Sequence, residues 1–414
     1  MKKFTALVLA LFLVASAAVM SACGDDNDNN KKNTKNETQQ SEESEDVQES
    51  SREEVKDISA VESKAEITTA QLSEINSFIN KYKDIPEFTS TSEAISANEI
   101  SNGKTVTLIS DNSNYTFTQL VSQQFISAAK SAGFKNVIAD ESDGTVTYFS
   151  QQLDNAVKNS DIVLMYGDIN KDNIATDIEK TQANGIKVLS AGNVGKEEKD
   201  HYVDYTIPIN YQLAGKLLAD WSISKNKGKV NALAINNSDS ILSSSIYKGF
   251  TDEFIKYVSS GYCTVLSGSS IEIGNGLAVK IKQAIENDPN LNYIIVLDDA
   301  LISDAISGVE QSGKKISIIS TGGSTAAFDA AENGKLEMLV AQSYEWTAYA
   351  MVDYALRVLN NSDLPAEQDV PVRIVTADSI KADLESNTYS NIEGFFEICF
   401  GANFVTGYSG LWCL

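Results

Sequence analysis

From residue 106 to residue 342 the chain repeats one unit: a short, almost unbroken apolar run, an amphipathic helical stretch, then another apolar run. The runs fall at 106–110, 137–140, 162–167 and 187–192, and again at 230–236, 263–268, 293–298, 316–321 and 336–342. They do not alternate apolar with polar, so they suit strands covered on both faces. Between and after them apolar residues recur at helical spacing, as in Val121, Phe125, Ala128 and Ala132, in Leu213, Leu217, Leu218 and Trp221, and in Ala350, Tyr354 and Val358. Strand, helix, strand repeated this often predicts parallel sheets built from right-handed crossovers. The runs are too many for one minimal doubly wound sheet and fit two. A closed eight-fold barrel is the alternative topology.

Open sheets of this kind bind ligands outside the carboxyl ends of their strands. In the first half those ends lead into Asp111 and Asn112, Asp140, Asp168 and Asn193. In the second half they lead into the run Asn236 to Asp239, the pair Asp298 and Asp299, the run Thr321 to Ser324, and Gln342. Carboxylates accept hydrogen bonds from hydroxyls, and amides both accept and donate. Tyr115, Phe117, Tyr344 and Trp346 stand close by in sequence and could supply a flat apolar face. A polar rim with an apolar face suits a sugar. The same Asp and Asn residues would equally serve to cap the helices that follow. The adjacent acids Asp298 and Asp299 read as one ligand contact and one solvated acid.

The balance of 33 basic against 57 acidic residues gives a formal charge of −24. That argues against nucleic acid and against a polybasic membrane patch, both of which need clustered Lys and Arg. With one histidine, His201, and four scattered cysteines, no zinc-type cluster is present. Cys399 and Cys413 are left open as either a pair or two free thiols. HExxH, the phosphate-binding loop and GxSxG are all missing, and Gly274-Asn275-Gly276 is no dinucleotide fingerprint, because Val279 stands where the third Gly or Ala should be. The chain is therefore expected to be no enzyme and to carry no cofactor or metal.

The N-terminus reads as an address. Lys2 and Lys3 precede an apolar run from Phe4 to about Val19, which ends in Met20-Ser21-Ala22-Cys23. This resembles a secretion signal closing in a bacterial lipobox, with cleavage after Ala22 and lipidation of Cys23. Residues 23–66 are rich in Asp, Asn, Glu, Ser and Lys, a composition expected to stay disordered. Such a tether of about 40 residues spans about 35 Å on average. The expected location is extracytoplasmic, on the outside of a cell membrane, held by the lipid. A short helical appendage follows within 67–102, with Leu72, Ile75, Ile79 and Tyr82 on one face.

Several ordered segments resemble the type 1 periplasmic-binding-protein family of the ribose and galactose kind, and within it the lipid-anchored solute-binding proteins. They are Asn210 to Asp220, Lys248-Gly249-Phe250, Asn292 to Asp299, and Val340-Ala341-Gln342. Trp346, Tyr349 and the stretch Asp353 to Arg357 continue the pattern, then Pro371-Val372-Arg373, and finally Gly401, Phe404, Gly407-Tyr408 and Leu411-Trp412. Their order along the chain makes the likeness specific, and it covers the chain from about Gly103 onward. The resemblance implies two Rossmann-like α/β lobes joined by a three-segment hinge, with crossings near residues 204–209, 342–345 and 365–371. It places residues 103–205 plus 343–368 in lobe 1, and 206–342 plus 369–414 in lobe 2 with the C-terminal segment.

The function it implies is capture of a small polar molecule, a sugar above all, by hinge closure, and delivery to an ABC permease by a monomeric protein. The alternative readings are a ligand-presenting sensor for a signalling receptor, or a binder of a non-sugar small metabolite. The implied ligand contacts are Asp111 and Asn112 through hydroxyls, Phe117 by stacking, Asp168 and Asn193 at the rim, Asp239 and Asp298 from the second lobe, and Gln342 at the hinge. The chain departs from the family's sugar binders at three places. Ser245, Ile246 and Tyr247 stand where an arginine is common, Gly322-Gly323 where an aspartate is, and Gly192-Asn193 where an Asp or Arg is. Each removes a strong partner for ring hydroxyls.

Overall fold

The computed structural model describes residues 55–58, 65–113, 115–192, 200–269, 271–365, 370–387 and 399–414. The expected signal, the lipid site Cys23 and Asn193 lie outside them.

The first lobe is a five-stranded parallel sheet of β1 (Thr105–Ser110), β2 (Asn136–Ile138), β3 (Ile162–Tyr166), β4 (Lys187–Ala191) and β5 (Tyr205–Ile207), in the order β2-β1-β3-β4-β5. The crossovers run through α3 (Thr116–Ser131), α4 (Val146–Asn159) and α5 (Ala175–Ala183), which follow α1 (Thr69–Asn80) and α2 (Ala97–Ser101) in the chain. The second sheet holds β6 (Lys229–Asn237), β7 (Ser260–Gly268), β8 (Tyr293–Val296), β9 (Ser317–Gly322), β10 (Met338–Gln342) and β11 (Val372–Val375). Its order is β11-β10-β9-β8-β6-β7, and only β11 runs antiparallel. Around it lie α6 (Tyr211–Asn226), α7 (Ile241–Tyr257), α8 (Leu277–Asn287), α9 (Ile302–Ser312) and α10 (Thr325–Glu332). The chain ends with α11 (Tyr344–Asn360), α12 (Ala377–Asn387) and α13 (Asn403–Leu411). These are two open sheets, not a closed barrel.

Every residue of β3 and β8 is buried, as their unbroken apolar sequences require. Polar residues set where helices start: Thr145, Asn210, Ser240, Ser324 and Ser343 each accept a backbone N–H of the helix they open. Each such cap is worth about 1 kcal/mol. Where α6 crosses α7 the backbones nearly touch: a methyl on Gly215 would come within 1.8 Å of the Ile246 carbonyl oxygen. One on Gly249 would come within 2.0 Å of that of Gln212. The glycine of the Lys248-Gly249-Phe250 motif is thus a packing requirement.

The chain crosses between lobes after β5, after β10 and between α11 and β11. Two further passages join them. The first leads from α1, which packs on α6 of lobe 2, to α2, which packs on α11 of lobe 1. The other leads from α12, against α10, to α13, against α11. The C-terminal helix, grouped in the sequence reading with the second lobe, therefore sits on the first. The two extra passages meet in an aromatic cluster: Phe88 lies 4.9 Å from Tyr408, Trp346 stacks on Phe404 at 4.8 Å, and Tyr349 stacks on Trp412 at 5.5 Å. The Trp412 indole donates to Asp353 at 2.9 Å, and Asp353 in turn holds the buried Arg357 at 2.8 Å.

The expected tether also needs correction at its far end. Residues 55–58 dock on the exposed edge of β7, where Ile58 and Cys263 exchange backbone hydrogen bonds at 2.9 and 3.2 Å. Asp57 accepts the Val265 N–H, and the Tyr247 hydroxyl donates to the Lys56 carbonyl, both at 2.6 Å. An edge strand with open N–H and C=O groups is what an extended segment can pair with. Cys263 and Cys399 are buried and Cys413 is exposed; all three are free thiols.

Candidate functional site

Strand order fixes where each sheet can hold a ligand. In lobe 1 the chain winds from β1 out to β2 and then back past it to β3, so the order reverses between β1 and β3. In lobe 2 it reverses in the same way between β6 and β8. A crevice opens at such a reversal because the two flanking helices leave on opposite faces. Asp111 and Asp168 follow β1 and β3; Asn237 ends β6 and Asp298 follows β8. The two reversals face each other across a cleft of about 230 Å³.

Of the eight expected ligand contacts, seven line this cleft: Asp111, Asn112, Phe117, Asp168, Asp239, Asp298 and Gln342. The eighth, Asn193, is outside the described residues. Tyr115 is also in the wall, whereas Tyr344 and Trp346 are not. Trp346 is buried in the aromatic cluster instead, because α11 turns its indole away from the cleft toward Phe404. Thr321, in the strand-end run singled out from the sequence, is in the wall too, whereas sequence reasoning passed over Tyr166, Tyr211 and Thr118. Tyr166 is the last residue of β3 and Tyr211 the first of α6, positions where the strand-end rule could have found them.

Most of the acids are already at work within the protein. Asp111 accepts the Thr118 hydroxyl at 2.7 Å and the Asp168 N–H at 3.0 Å. This close fit needs Gly167, whose φ is +91° and whose added methyl would meet the Asp111 carboxylate at 2.4 Å. Asp298 accepts from the Asn237 amide at 2.8 Å and from the Ala300 N–H at 3.0 Å. Asp299, expected to be solvated, accepts the N–H groups of Gly323 and Ser324 at 3.1 and 3.0 Å and so fixes the turn before α10. Asp168 reaches across the cleft: its two oxygens lie 2.9 and 2.8 Å from the Ile241 N–H at the start of α7. One lobe's carboxylate thereby caps the other lobe's helix, where the helix dipole favours negative charge.

Burial pushes the Asp111 carboxyl up to about 6; its hydrogen bonds from the Asp168 N–H and Thr118 oppose this, and the charge of Asp298 across the cleft adds to it. Asp298 is likewise pushed up to about 6, by burial first and then by the charge of Asp299. Burial lowers the Lys171 ammonium, although Asp200 holds it at 2.7 Å. At the hinge end of the cleft the Phe117 ring lies against the backbone of Gly323, where an added methyl would come within 2.3 Å of it. Gln342 donates to the Thr321 hydroxyl at 3.0 Å, tying the ends of β9 and β10.

The sequence profile of the periplasmic binding protein domain matches residues 106–363, spanning both lobes. The chain belongs to the periplasmic-binding-protein family, type 1. Solved structures of similar fold include an ABC sugar transporter subunit from Rhodobacter sphaeroides, 14% identical, TM-score 0.58, covering 67% of this chain and 99% of that one. An ABC transporter solute-binding protein from Agrobacterium vitis bound to α-D-tagatopyranose is 16% identical, TM-score 0.58, covering 70% and 99%. A carbohydrate transporter from Acidothermus cellulolyticus in complex with myo-inositol is 18% identical, TM-score 0.57, covering 68% and 97%. No curated protein matches the sequence. Identities this low establish the shared two-lobed fold.

Proposed function

We propose that this periplasmic-binding-protein family member captures a small polar, sugar-like solute between its lobes and delivers it to an ABC importer. In this reading Asp111, Asn112, Phe117, Asp168, Asp239, Asp298 and Gln342 form the solute site, and Asn193, which follows β4 in sequence, is the eighth proposed contact. The observation that carries this reading is the meeting of two strand-order reversals across one cleft lined by carboxylates, amides and aromatic rings. A solute lying there touches both lobes only when they are closed. Its binding energy is therefore differential between open and closed forms, and that difference drives closure. The closed surface is what a permease would recognise. In this reading Cys23 carries the lipid and residues after it act as the tether, so capture happens just outside the membrane.

The decisive experiment is a thermal-shift screen of the full chain against sugars, polyols and small metabolites, followed by calorimetry on hits. A solute that binds only the folded protein at a hundredfold excess over Kd stabilises it by about 2.7 kcal/mol. A panel that leaves the melting point unmoved, or a hit whose affinity ignores Asp298→Ala and Phe117→Ala, contradicts the assignment. A gene neighbourhood coding for a permease and an ATPase supports import, and one coding for a sensor kinase supports signalling.

A further inference from the structure

The two passages that join the lobes beyond the hinge crossings are bonded to each other. On lobe 2 one side chain holds both. Arg373 of β11 is buried, and its Nε donates to the Lys83 carbonyl at 3.0 Å. One terminal nitrogen donates to the Cys399 carbonyl at 2.9 Å, and the other pairs with Asp383 of α12 at 2.7 Å. The next residue, Ile374, donates its N–H to the Tyr82 carbonyl at 2.6 Å. A planar guanidinium fork can join two carbonyls and a carboxylate in one fixed geometry, which an ammonium on a flexible stem cannot.

On lobe 1 the two passages meet again. The Ile95 N–H donates to the Leu411 carbonyl at 2.7 Å, and the Ala97 N–H to the Trp412 carbonyl at 3.1 Å. Both passages sit on the rings at the start of α11: Phe404 on Trp346 and Tyr349, and Phe88 against Trp346 and Tyr408. Midway, the Asn403 amide donates to the Pro86 carbonyl at 3.2 Å. A methyl on Gly407 would come within 2.0 Å of the Phe88 ring, so the two passages lie in direct contact.

The C-terminal passage is short. Between Cys399, held to lobe 2, and Phe404, seated on lobe 1, stand only residues 400–403. Fully extended, that stretch reaches about 18 Å at most. Hinge motion is absorbed by a few residues in each crossing, which a single free segment allows. A short segment seated at both ends, with a second one bonded along it, resists the same bending. Parting the lobes beyond its slack requires breaking the Arg373 bonds or lifting Phe404 off its rings.

We propose that residues 82–97 and 399–412 form a brace that sets how far the lobes can part. The bonds from Asp168 to Ile241 bear on how often they part; the brace fixes the amplitude. This inference concerns the unliganded protein and does not depend on what the cleft binds.

The test is pulsed electron-resonance distance measurement on the full chain without ligand. The spin labels go on Asn155→Cys in lobe 1 and Gln283→Cys in lobe 2, with Cys23 and Cys413 replaced by serine. Inserting Gly-Ser-Gly-Ser-Gly-Ser between Gly401 and Ala402 lengthens the strap to about 40 Å while leaving both seats intact. The far edge of the distance distribution should then move outward, with the melting point close to that of the parent. Arg373→Lys keeps a cation beside Asp383 but loses the fork, and should move the edge the same way by a smaller shift. An edge that stays in place in the lengthened, folded chain overturns the brace and leaves a contact that only stabilises the fold. If the lengthened chain does not fold, Arg373→Lys decides by the same edge. Hydrogen exchange on the unaltered protein is an independent check. The Ile95 and Ile374 amides, at the two seats, should exchange as slowly as those of β3 and β8. Exchange at the rate of exposed loops means that the brace lets go in the native state, which overturns it as well.

Discussion

Replacing Asp168 with alanine should loosen the closed form of the protein. In the structure this carboxylate, fixed to lobe 1 after β3, accepts the first N–H of α7 in lobe 2 with both oxygens, at 2.9 and 2.8 Å. A hydrogen bond to a charged group contributes about 1.5–3 kcal/mol. Asp168 is partly exposed, so the lower half of that range applies, near 2 kcal/mol, or about 30-fold in the ratio of closed to open forms. One effect works in the opposite direction, because Asp168 also repels Asp298 across the cleft and its removal relieves that. The repulsion is the smallest influence on Asp298, after its burial, the Asp299 charge and its own hydrogen bonds. The lost cap at contact distance should therefore win. Asp168→Asn keeps a carbonyl acceptor and loses only the charge, so about half the effect is expected. Spin labels at Asn155→Cys in α4 and Gln283→Cys in α8, both on exposed helix faces, report the distance between lobes. Cys23 and Cys413 are replaced by serine in that background. Without ligand, the long-distance population should grow in the order wild type, Asp168→Asn, Asp168→Ala. Coincident distributions in all three would refute the cap as a force holding the lobes together.

Gly323→Ala places a methyl 2.3 Å from the Phe117 ring and 2.6 Å from the Gln342 carbonyl oxygen. It should weaken solute binding in calorimetry and also lower the melting point of the unliganded protein, because the Gln342 backbone oxygen cannot swing aside. The Asp111 carboxyl, ordinarily near 3.8 but near 6 here, binds its proton more tightly folded than unfolded. Its stabilising contribution, up to about 3 kcal/mol, is therefore complete below pH 4 and lost as pH rises through 6. Melting temperatures over that window should fall less steeply in Asp111→Asn than in wild type, with Asp298→Asn acting in the same direction. Trp412→Ala removes a fully buried indole, its stacking on Tyr349 and its hydrogen bond to Asp353. A loss of about 3–5 kcal/mol is expected in denaturant unfolding, enough to show which stability the C-terminal clasp supplies. Cys23→Ala should release the protein from the membrane fraction into the soluble one, measured by fractionation of expressing cells.

Periodicity and strand-end chemistry determined a good deal here. Unbroken apolar runs such as those of β3 and β8 can be satisfied only by strands with helices on both faces, so the α/β class followed from composition along the chain. The rule that crevices open at strand ends then singled out Asp111, Asp168, Asp298 and Gln342 before any geometry was known. Short strands escaped: β5 has three residues, and β11 is antiparallel and set apart from the alternating rhythm, so neither carried a periodic signal. What each polar residue does was decided only in three dimensions. Whether an aspartate waits for a solute or caps a helix depends on which N–H lies within 3 Å of it. For Asp168 that N–H is on Ile241, 73 residues away in the other lobe. Trp346 and Trp412 likewise look alike as isolated aromatics in sequence, and only the return of the N- and C-terminal segments behind the hinge gives them Phe404 and Tyr349 to pack on. Local patterns fix the elements because backbone and burial preferences act over a few residues. Cross-lobe contacts are set by the meeting of distant segments, which no local pattern encodes.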